Sequence, residues 1–297
     1  MGLLAMNAKR AEKKRLEFIS RCKAYDTPRL ENEVFPDGVT VMKDISYDET
    51  EGVNGLLDIY FPGTAKERFD EAFFLIHGGA FVYGSKELDQ NYGMHLALRS
   101  GLPVININYT LMPGKDLSGV CEEICAALNF LAREYGIAKI HTTGDSAGGY
   151  LALITALFCN DDKMRDELHI KTDPMVNCLS GNMICGGFKR DKNDWSRFFM
   201  DPSGRCPDYI YDMGKAVVMS FGRTHKIPLC NVTGDRDSML RECRYLQKIC
   251  EKEGIGCRFY NGKSSGERKM YHVYPISHPE WPESQEIIGM FAENAKA

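Results

Sequence analysis

The chain has 297 residues, of which 43% are apolar and 26% charged, and it carries a formal net charge of −4 at neutral pH. This composition indicates a globular protein with a substantial core and excludes a disordered or fibrous chain. The slight excess of acidic residues gives no reason to expect nucleic acid as a partner. No apolar run approaches the roughly eighteen residues that a membrane span requires.

The N-terminal segment and the cysteines indicate the cellular compartment of the protein. Lys9 and Arg10 follow the apolar stretch 1–6, which is the wrong order for a secretory signal, and position 6 lacks the Ser or Thr of a myristoylation site. Eleven cysteines are scattered through the apparent strands and helices, with no C-x-x-C pair. We therefore expect a cytoplasmic protein with buried free thiols, rather than a zinc site or a disulfide framework.

Strand-like and helix-like patterns alternate along the chain. A basic helical arm is predicted at 7–24, ended by Thr27 and Pro28, and its charges indicate a solvated face. The predicted strands are 39–47, 56–61, 72–76, 103–109, 139–143, 176–179, 228–233 and 257–260. The predicted helices are 88–100, 119–135, 147–158, 238–253 and 283–295. This alternation predicts a mostly parallel, doubly wound α/β sheet, and the first two strands, joined by a hairpin turn at 51–55, predict an antiparallel edge.

Residues 182–226 fit this alternation poorly. A structureless loop of that length is uncommon in a compact domain, so we expect a small helical insertion. Its aromatic and Met side chains either line a ligand pocket or pack the insertion onto the body of the protein. They are Phe188, Trp195, Phe198, Phe199, Met200, Tyr209, Tyr211 and Met213. No repeat or linker divides the chain, which predicts one domain over 1–297, with the exposed sheet edge and the last helix as possible homodimer surfaces.

The pentapeptide Gly144-Asp145-Ser146-Ala147-Gly148 stands between a predicted strand and a predicted apolar helix. A G-x-S-x-G sequence at such a turn is typical of a nucleophile elbow, in which a strained backbone lifts the serine hydroxyl clear of the sheet. By itself the pentapeptide is a weak signal, because these residues recur by chance. An ordinary strand–turn–helix corner is the alternative.

A second motif makes the assignment of a nucleophile elbow more specific. His77-Gly78-Gly79-Ala80 follows the buried strand at 72–76, and its small residues leave backbone N–H groups unshielded. Such N–H groups can bind the negative charge that develops on a carbonyl oxygen during acyl transfer. The sequence therefore predicts an oxyanion hole beside the serine.

A serine hydroxyl also needs a base and a group that orients the base. The acid is expected at the end of a late strand, where Asp235 and Asp237 are both candidates and Asp237 is preferred. The base must follow, as His272 or His278, with His272 preferred because it lies just past the last strand. The chain order Ser, Asp, His is that of α/β enzymes with a nucleophile elbow.

In combination these motifs resemble the α/β-hydrolases of the hormone-sensitive-lipase-like carboxylesterase family. His77-Gly78-Gly79-Ala80 is similar to the family's HGG[GA], and Gly144-Asp145-Ser146-Ala147-Gly148-Gly149 to its GDSAGG. The resemblance implies an α/β-hydrolase fold with Ser146 as nucleophile, His272 as base and Asp237 as its orienting acid. It further implies backbone N–H groups of Gly79, Ala80 and Ala147 as the oxyanion hole, supported by His77 and Gly78. Residues 1–30 and 182–226 would be cap elements over an acyl pocket.

The resulting hypothesis is a serine carboxylesterase that hydrolyses small to medium acyl esters. An amidase or peptidase with the same triad is the alternative among enzymes, and a non-catalytic binding protein on the same fold is the alternative from another class. No cofactor or metal is indicated. Gly262-Lys263-Ser264 resembles the end of a phosphate loop, but Cys257 occupies the position of its opening glycine.

Overall fold

The structure is a computed structural model that describes residues 2–191 and 194–296; residues 1, 192, 193 and 297, which fall within ranges assigned from the sequence, lie outside it. The described strands are β1 (Val39–Ser46), β2 (Leu56–Pro62), β3 (Glu71–Ile76), β4 (Val104–Ile107), β5 (Lys139–Asp145), β6 (Asn177–Ile184), β7 (Leu229–Gly234) and β8 (Cys257–Gly262). The described α-helices are α1 (Gly2–Glu31), α2 (Gln90–Ser100), α3 (Leu117–Tyr135), α4 (Ala147–Phe158), α5 (Asp162–Glu167), α6 (Arg197–Met200), α7 (Met213–Phe221), α8 (Leu240–Lys252), α9 (Tyr274–Ser277) and α10 (Pro282–Asn294).

These strands form one sheet in the order β1-β2-β4-β3-β5-β6-β7-β8. β1 pairs antiparallel with β2, and β2 with β4, whereas the other neighbours pair in parallel. The predicted doubly wound sheet with an antiparallel N-terminal edge is confirmed. Because parallel strands end at the same edge, the loops that follow β3, β5, β7 and β8 lie close together there.

Helices cover both faces of the sheet, which explains why residues 72–76 of β3 are apolar on both sides. α2 and α10 pack together on one face, while α3, α4, α7 and α8 cover the other. α4 is the innermost of them, and all twelve of its residues are buried. A helix that is apolar around its whole circumference must lie in the core. Burial of each large side chain stabilises the fold by roughly 1.5–3 kcal/mol, so the start of α4 is held firmly in place.

α1 is longer than the sequence predicted. Thr27 and Pro28 were expected to end it near residue 24, but the helix continues through both to Glu31. Proline disfavours a helix interior because it lacks an N–H group. Here the guanidinium of Arg29 binds Glu33 (2.8 Å) and donates to the carbonyl of Leu88 (3.1 Å), which ties the last turn to the body of the protein. Tertiary contacts therefore outweigh the local preference.

Two other segments differ from the expectation. Residues 182–184, assigned to the insertion, complete β6 instead, because this strand is buried between β5 and β7 and reaches the edge of the sheet. The expected hairpin turn at 51–55 is part of a 3₁₀ helix, Glu49–Gly55, between β1 and β2. The carboxylate of Asp48 accepts the N–H of Thr50 (3.0 Å) and so caps this helix.

All eleven cysteines are unpaired thiols, as expected, and nine of them are buried. Cys22 and Cys257 are the two that are partly exposed. Among the residues that the structure describes, no helix combines the length and the apolar character needed to cross a membrane.

His77, the first residue after β3, is wholly buried and neutral. Its ring stacks on Tyr109 with centroids 4.4 Å apart, and Nδ1 lies 2.8 Å from the carbonyl of Gly78, to which the neutral ring donates. The hydroxyl of Tyr109 donates to the His77 carbonyl (3.2 Å). Burial lowers the pKa of His77 to about 4, because the charged imidazolium would be removed from water.

This neutral His77 predicts a loss of stability on acidification. Its pKa is lower in the folded chain than the ordinary value near 6.5, so its contribution is fully present above pH 6.5 and is lost as the pH falls towards 4. A shift of this size corresponds to about 3 kcal/mol. Between pH 7 and 4, the free energy of unfolding measured in urea should therefore fall by about 3 kcal/mol less in His77→Asn than in the parent protein. His225→Asn, at an exposed position, should show the same fall as the parent protein. An equal fall in the free energy of unfolding of all three proteins would contradict the prediction.

Gly234, the last residue of β7, allows the backbone at residue 270 to approach. A Cβ at this position would lie less than 3.0 Å from the carbonyl oxygen of Met270, which also accepts the N–H of Arg236 (3.1 Å). Gly234→Ala should therefore lower the free energy of unfolding by about 1–3 kcal/mol in urea titrations, because the backbone segments at residues 234 and 270 must move apart. Gly256→Ala is the matched control, since a Cβ there meets nothing within 4 Å. Similar stability of the two variants would show that this contact is not constrained.

Candidate active site

Ser146 occupies the sharp turn between β5 and α4. Its backbone has φ 51° and ψ −112°, in a region that residues with a side chain rarely adopt and that costs on the order of 1–3 kcal/mol. The turn passes so close to β3 that a Cβ at Gly144 or Gly148 would overlap the carbonyl oxygen of Ile76. Small residues on both sides are therefore required, and the hydroxyl of Ser146 points away from the sheet, as in a nucleophile elbow.

The imidazole of His272 joins the three residues predicted for the triad. Its Nε2 lies 2.9 Å from Ser146 Oγ, and its Nδ1 lies 2.7 Å from Asp237 Oδ1. In the neutral tautomer with the proton on Nδ1, the ring donates to the carboxylate and accepts the serine proton at Nε2. Side chains that are 126 and 35 positions apart in the chain thus meet at the carboxyl edge of the sheet.

Asp237 is held in one orientation from several sides. Oδ2 accepts the hydroxyl of Thr233 (2.6 Å), and Oδ1 accepts the N–H of Met239 (2.8 Å) in addition to His272. Burial pushes the pKa of this carboxyl upward, but the hydrogen bonds and the neighbouring imidazole outweigh burial and hold it below its usual value. Asp237 is therefore an ionised carboxylate beside the ring.

The alternative residues lie elsewhere. Asp235 turns away from the imidazole and accepts the hydroxyl (2.5 Å) and N–H (3.1 Å) of Ser264. His278 stacks on Trp281 with ring centroids 4.0 Å apart, and its Nδ1 lies 3.5 Å from Glu280. Of the two pairs of candidates, the structure brings Asp237 and His272 to Ser146.

The loop after β3 brings backbone donors to the same place. Gly79, Ala80 and Phe81 all have left-handed φ values, of 103°, 52° and 67°. The turn is closed by the N–H groups of Val82 and Tyr83, which donate to the carbonyl of Gly79 (3.1 Å each).

Among the described residues, no protein group accepts the N–H of Gly79, Ala80 or Ala147. Two of these donors belong to the loop after β3, and the third belongs to the first residue of α4 beside Ser146. Unpaired N–H groups at this position could hold an oxyanion.

A cavity of about 880 Å³ contains Ser146 and His272. α1 and the segment after β6 both line it, and Phe18 and Trp195, one from each, have ring centroids 5.7 Å apart. The hydroxyls of Tyr25 and Tyr271, 2.8 Å apart, make a second contact between α1 and the body of the protein.

Of the aromatic and Met side chains predicted in the 182–226 segment, some line the cavity and others pack in the core. Trp195 lines the cavity. Phe188, Phe199, Met200, Tyr211 and Met213 are buried in the core.

Sequence reasoning missed the cavity residues of α1 and of the loop before α2. Phe18, Tyr25 and Arg29 recur at roughly helical spacing and form one stripe of the helix, which is the signal that could have found them. Asp89 and the neighbouring Asp145 also line the cavity. Nothing in the sequence marks Asp89 as a partner of the elbow.

A second Ser–His–acid arrangement occurs inside the protein. His141 Nδ1 lies 2.8 Å from Ser180 Oγ, and Nε2 lies 2.9 Å from Glu71. Ser180 and His141 are buried, and neither lines the cavity that contains Ser146. Because no substrate could reach this serine, the arrangement satisfies buried polar groups of the sheet.

Potential metal ligands are also close together at the site. Side-chain atoms of Cys185, Asp237 and His272 lie within 4.8 Å of one another. Both ring nitrogens of His272 already have protein partners, and burial raises the pKa of the Cys185 thiol well above its usual value. This donor set does not fit a metal ion, which prefers a thiolate and a free imidazole nitrogen.

Comparisons with known proteins bear on the fold. Residues 57–188 match the family model BD-FAE. The crystal structure of Esterase B from Lactobacillus Rhamnosis (HN001) matches with a TM-score of 0.84 at 22% sequence identity, over 98% of this chain and 97% of that chain. A structure of the same esterase described with a C4-C4 SN3 tributyrin phosphonate matches with a TM-score of 0.85 at 23% identity, over 97% and 96% of the two chains.

A more distant match extends the comparison. An esterase from the bacterial hormone-sensitive lipase family matches with a TM-score of 0.66 at 19% identity, over 90% of this chain and 87% of that one. Similarity at these identities establishes the fold. The chain is therefore an α/β-hydrolase in fold, similar to esterases of that family, as the sequence resemblance predicted.

Proposed function

We propose that the protein is a serine carboxylesterase that hydrolyses small to medium acyl esters through an acyl-enzyme intermediate. The observation that carries the proposal is the position of His272, with Nε2 2.9 Å from Ser146 Oγ and Nδ1 2.7 Å from the Asp237 carboxylate. The similarity in fold to esterases, one of them described with a tributyrin phosphonate, supports ester hydrolysis.

Acylation uses the contacts of the neutral His272. Ser146 Oγ attacks the ester carbonyl while Nε2 takes its proton, and Asp237 stabilises the imidazolium that forms. The carbonyl oxygen becomes an oxyanion, which the N–H groups of Gly79, Ala80 and Ala147 stabilise. The imidazolium then returns the proton to the departing alcohol oxygen as the C–O bond breaks, which leaves the acyl group on Ser146.

Deacylation repeats these steps with water. His272 takes a proton from a water molecule as the water oxygen attacks the acyl carbon. The second oxyanion is held by the same N–H groups. When it collapses, Ser146 Oγ leaves with the proton from the imidazolium, and the carboxylic acid is released.

α1 and residues 185–226 act in this proposal as a cap that selects the acyl group. Phe18 and Trp195, one from each segment, both line the cavity. A pocket of this kind discriminates by about 1–3 kcal/mol for each methylene group. A series of p-nitrophenyl esters from acetate to decanoate would define the preferred chain length.

Replacement of the nucleophile gives the most direct test of the activity. Ser146→Ala should lower kcat on p-nitrophenyl butyrate by about 10³–10⁶-fold, because only the oxyanion hole and binding contribute to the residual rate. Ser180→Ala is the matched control, since Ser180 contacts a histidine at a similar distance without access to the cavity. It should keep the parent rate per folded molecule. A Ser146→Ala enzyme as active as the parent would refute the assignment.

Replacement of the two candidate acids, Asp237 and Asp235, should have different effects on kcat. Asp237→Asn should lower kcat by about 10⁴-fold, because an amide at this place favours the wrong tautomer of His272. Asp235→Asn should remain within a few-fold of the parent, since its carboxylate binds Ser264 rather than the imidazole. Steady-state kinetics on p-nitrophenyl butyrate would compare them. A larger loss in Asp235→Asn than in Asp237→Asn would reverse the assignment.

A further inference from the structure

Asp89 and Asp145 form a pair of buried carboxyl groups beneath the elbow. Asp145 is the last residue of β5, directly before Ser146, and is 5% exposed, whereas Asp89 is 1% exposed. Asp89 occupies the N-cap position of α2, yet its side chain makes no hydrogen bond to that helix. Asp89 instead interacts electrostatically with Asp145, and both residues line the cavity that contains Ser146.

One oxygen atom of each carboxyl group has no protein donor in the described part of the chain. Within the described residues, Asp89 Oδ2 and Asp145 Oδ1 are buried and have no donor. Two adjacent carboxylates could not both remain ionised in such a place, because each would raise the energy of the other. Burial raises the pKa of both groups, and ionised Asp145 raises that of Asp89 further. One proton held by the two carboxyls would remove this repulsion.

Asp145 is also connected to the loop that carries the oxyanion donors. Its carboxylate packs against Gly78, whose backbone N–H favours the ionised form of Asp145. The packing is so close that a Cβ at Gly78 would lie less than 3.0 Å from Asp145 Oδ2. The orientation of this carboxylate therefore determines where the next two peptide groups, with the N–H groups of Gly79 and Ala80, are placed.

We propose that Asp89 and Asp145 share one proton and act as positioning residues for the oxyanion loop, with Asp89 donating to Asp145 while Asp145 accepts the N–H of Gly78. The inference rests on the proposed esterase activity. Neither residue touches the reacting atoms. Asp89 holds Asp145 in the rotamer that supports the loop, and the single negative charge that remains lies on the side of the pair next to Ser146.

The groups that face the pair are consistent with one negative charge. The positive charge of Arg29, on α1, favours the ionised form of both carboxyls, and its guanidinium donates to the carbonyl of Leu88 (3.1 Å), directly before Asp89. The charged and titratable groups packed around the two carboxyls are Arg29 and Asp26 of α1, Tyr92 of α2, Tyr109 after β4 and His272 after β8. Burial raises the pKa of both tyrosines, which remain neutral. Ionised Asp145 thus also favours the imidazolium that forms on His272 during acylation.

Two variants of Asp89 separate positioning from a general structural contribution. Asp89→Asn keeps a donor of the same shape and should retain kcat within about threefold. Asp89→Leu removes the donor, and the displaced loop should lower kcat on p-nitrophenyl butyrate by about 10–100-fold with KM nearly unchanged. Rates are expressed per active site, counted by titration with a fluorophosphonate. Equal activity of Asp89→Leu and the parent, or equal losses in both variants, would overturn the proposal.

A spectroscopic readout applies even if Asp89→Leu fails to fold. The parent protein at pH 7 should show an infrared C=O band of a buried carboxylic acid that shifts in D₂O, and Asp89→Asn should lack it. No difference between the two spectra would show that the pair holds no proton. An inactive parent protein would instead count against the esterase, since the infrared band does not depend on catalysis.

Discussion

The arrangement of the candidate active site depends on one imidazole. The ring of His272 lies between Ser146, which follows β5, and Asp237, which follows β7, and is within hydrogen-bond distance of both. Its Nδ1 must be protonated for the carboxylate to accept, and this leaves Nε2 as the acceptor for the serine proton. The parallel strands supply the rest, because they end at one edge and so bring three distant loops within hydrogen-bond distance.

The backbone around this contact is constrained from both sides. Ser146 is held at a positive φ by a turn that passes against the carbonyl of Ile76, and Gly79 and Ala80 have positive φ in the facing loop. The core determines both positions, since α4 is buried along its whole length and β3 lies between two parallel neighbours. Strain at the elbow is thus balanced by apolar burial elsewhere. The buried carboxyl pair adds a polar connection between the elbow and the facing loop.

Local sequence patterns were sufficient for much of the fold. Apolar runs such as 72–76 and the strand–turn–helix pattern around Ser146 follow from residue preferences that tertiary contacts reinforce. The extension of α1 through Pro28 could not be predicted, because Arg29 at its end is held by a hydrogen bond to the distant carbonyl of Leu88. The same holds for Asp89, which falls inside the predicted helix 88–100 but occupies the N-cap position of α2 without a capping bond. Long-range polar contacts leave no periodic signal in a sequence.

The central claim is that Ser146 attacks a carbonyl carbon and that the loop after β3 binds the resulting oxyanion. A crystal structure of the protein after reaction with a butyl p-nitrophenyl phosphonate tests both parts together. We expect a covalent bond from Ser146 Oγ to phosphorus, with the phosphoryl oxygen about 2.7–3.1 Å from the N–H groups of Gly79, Ala80 and Ala147. A protein that hydrolyses p-nitrophenyl butyrate but carries the phosphonate on another residue, or on Ser146 with its oxygen directed away from these groups, would contradict it.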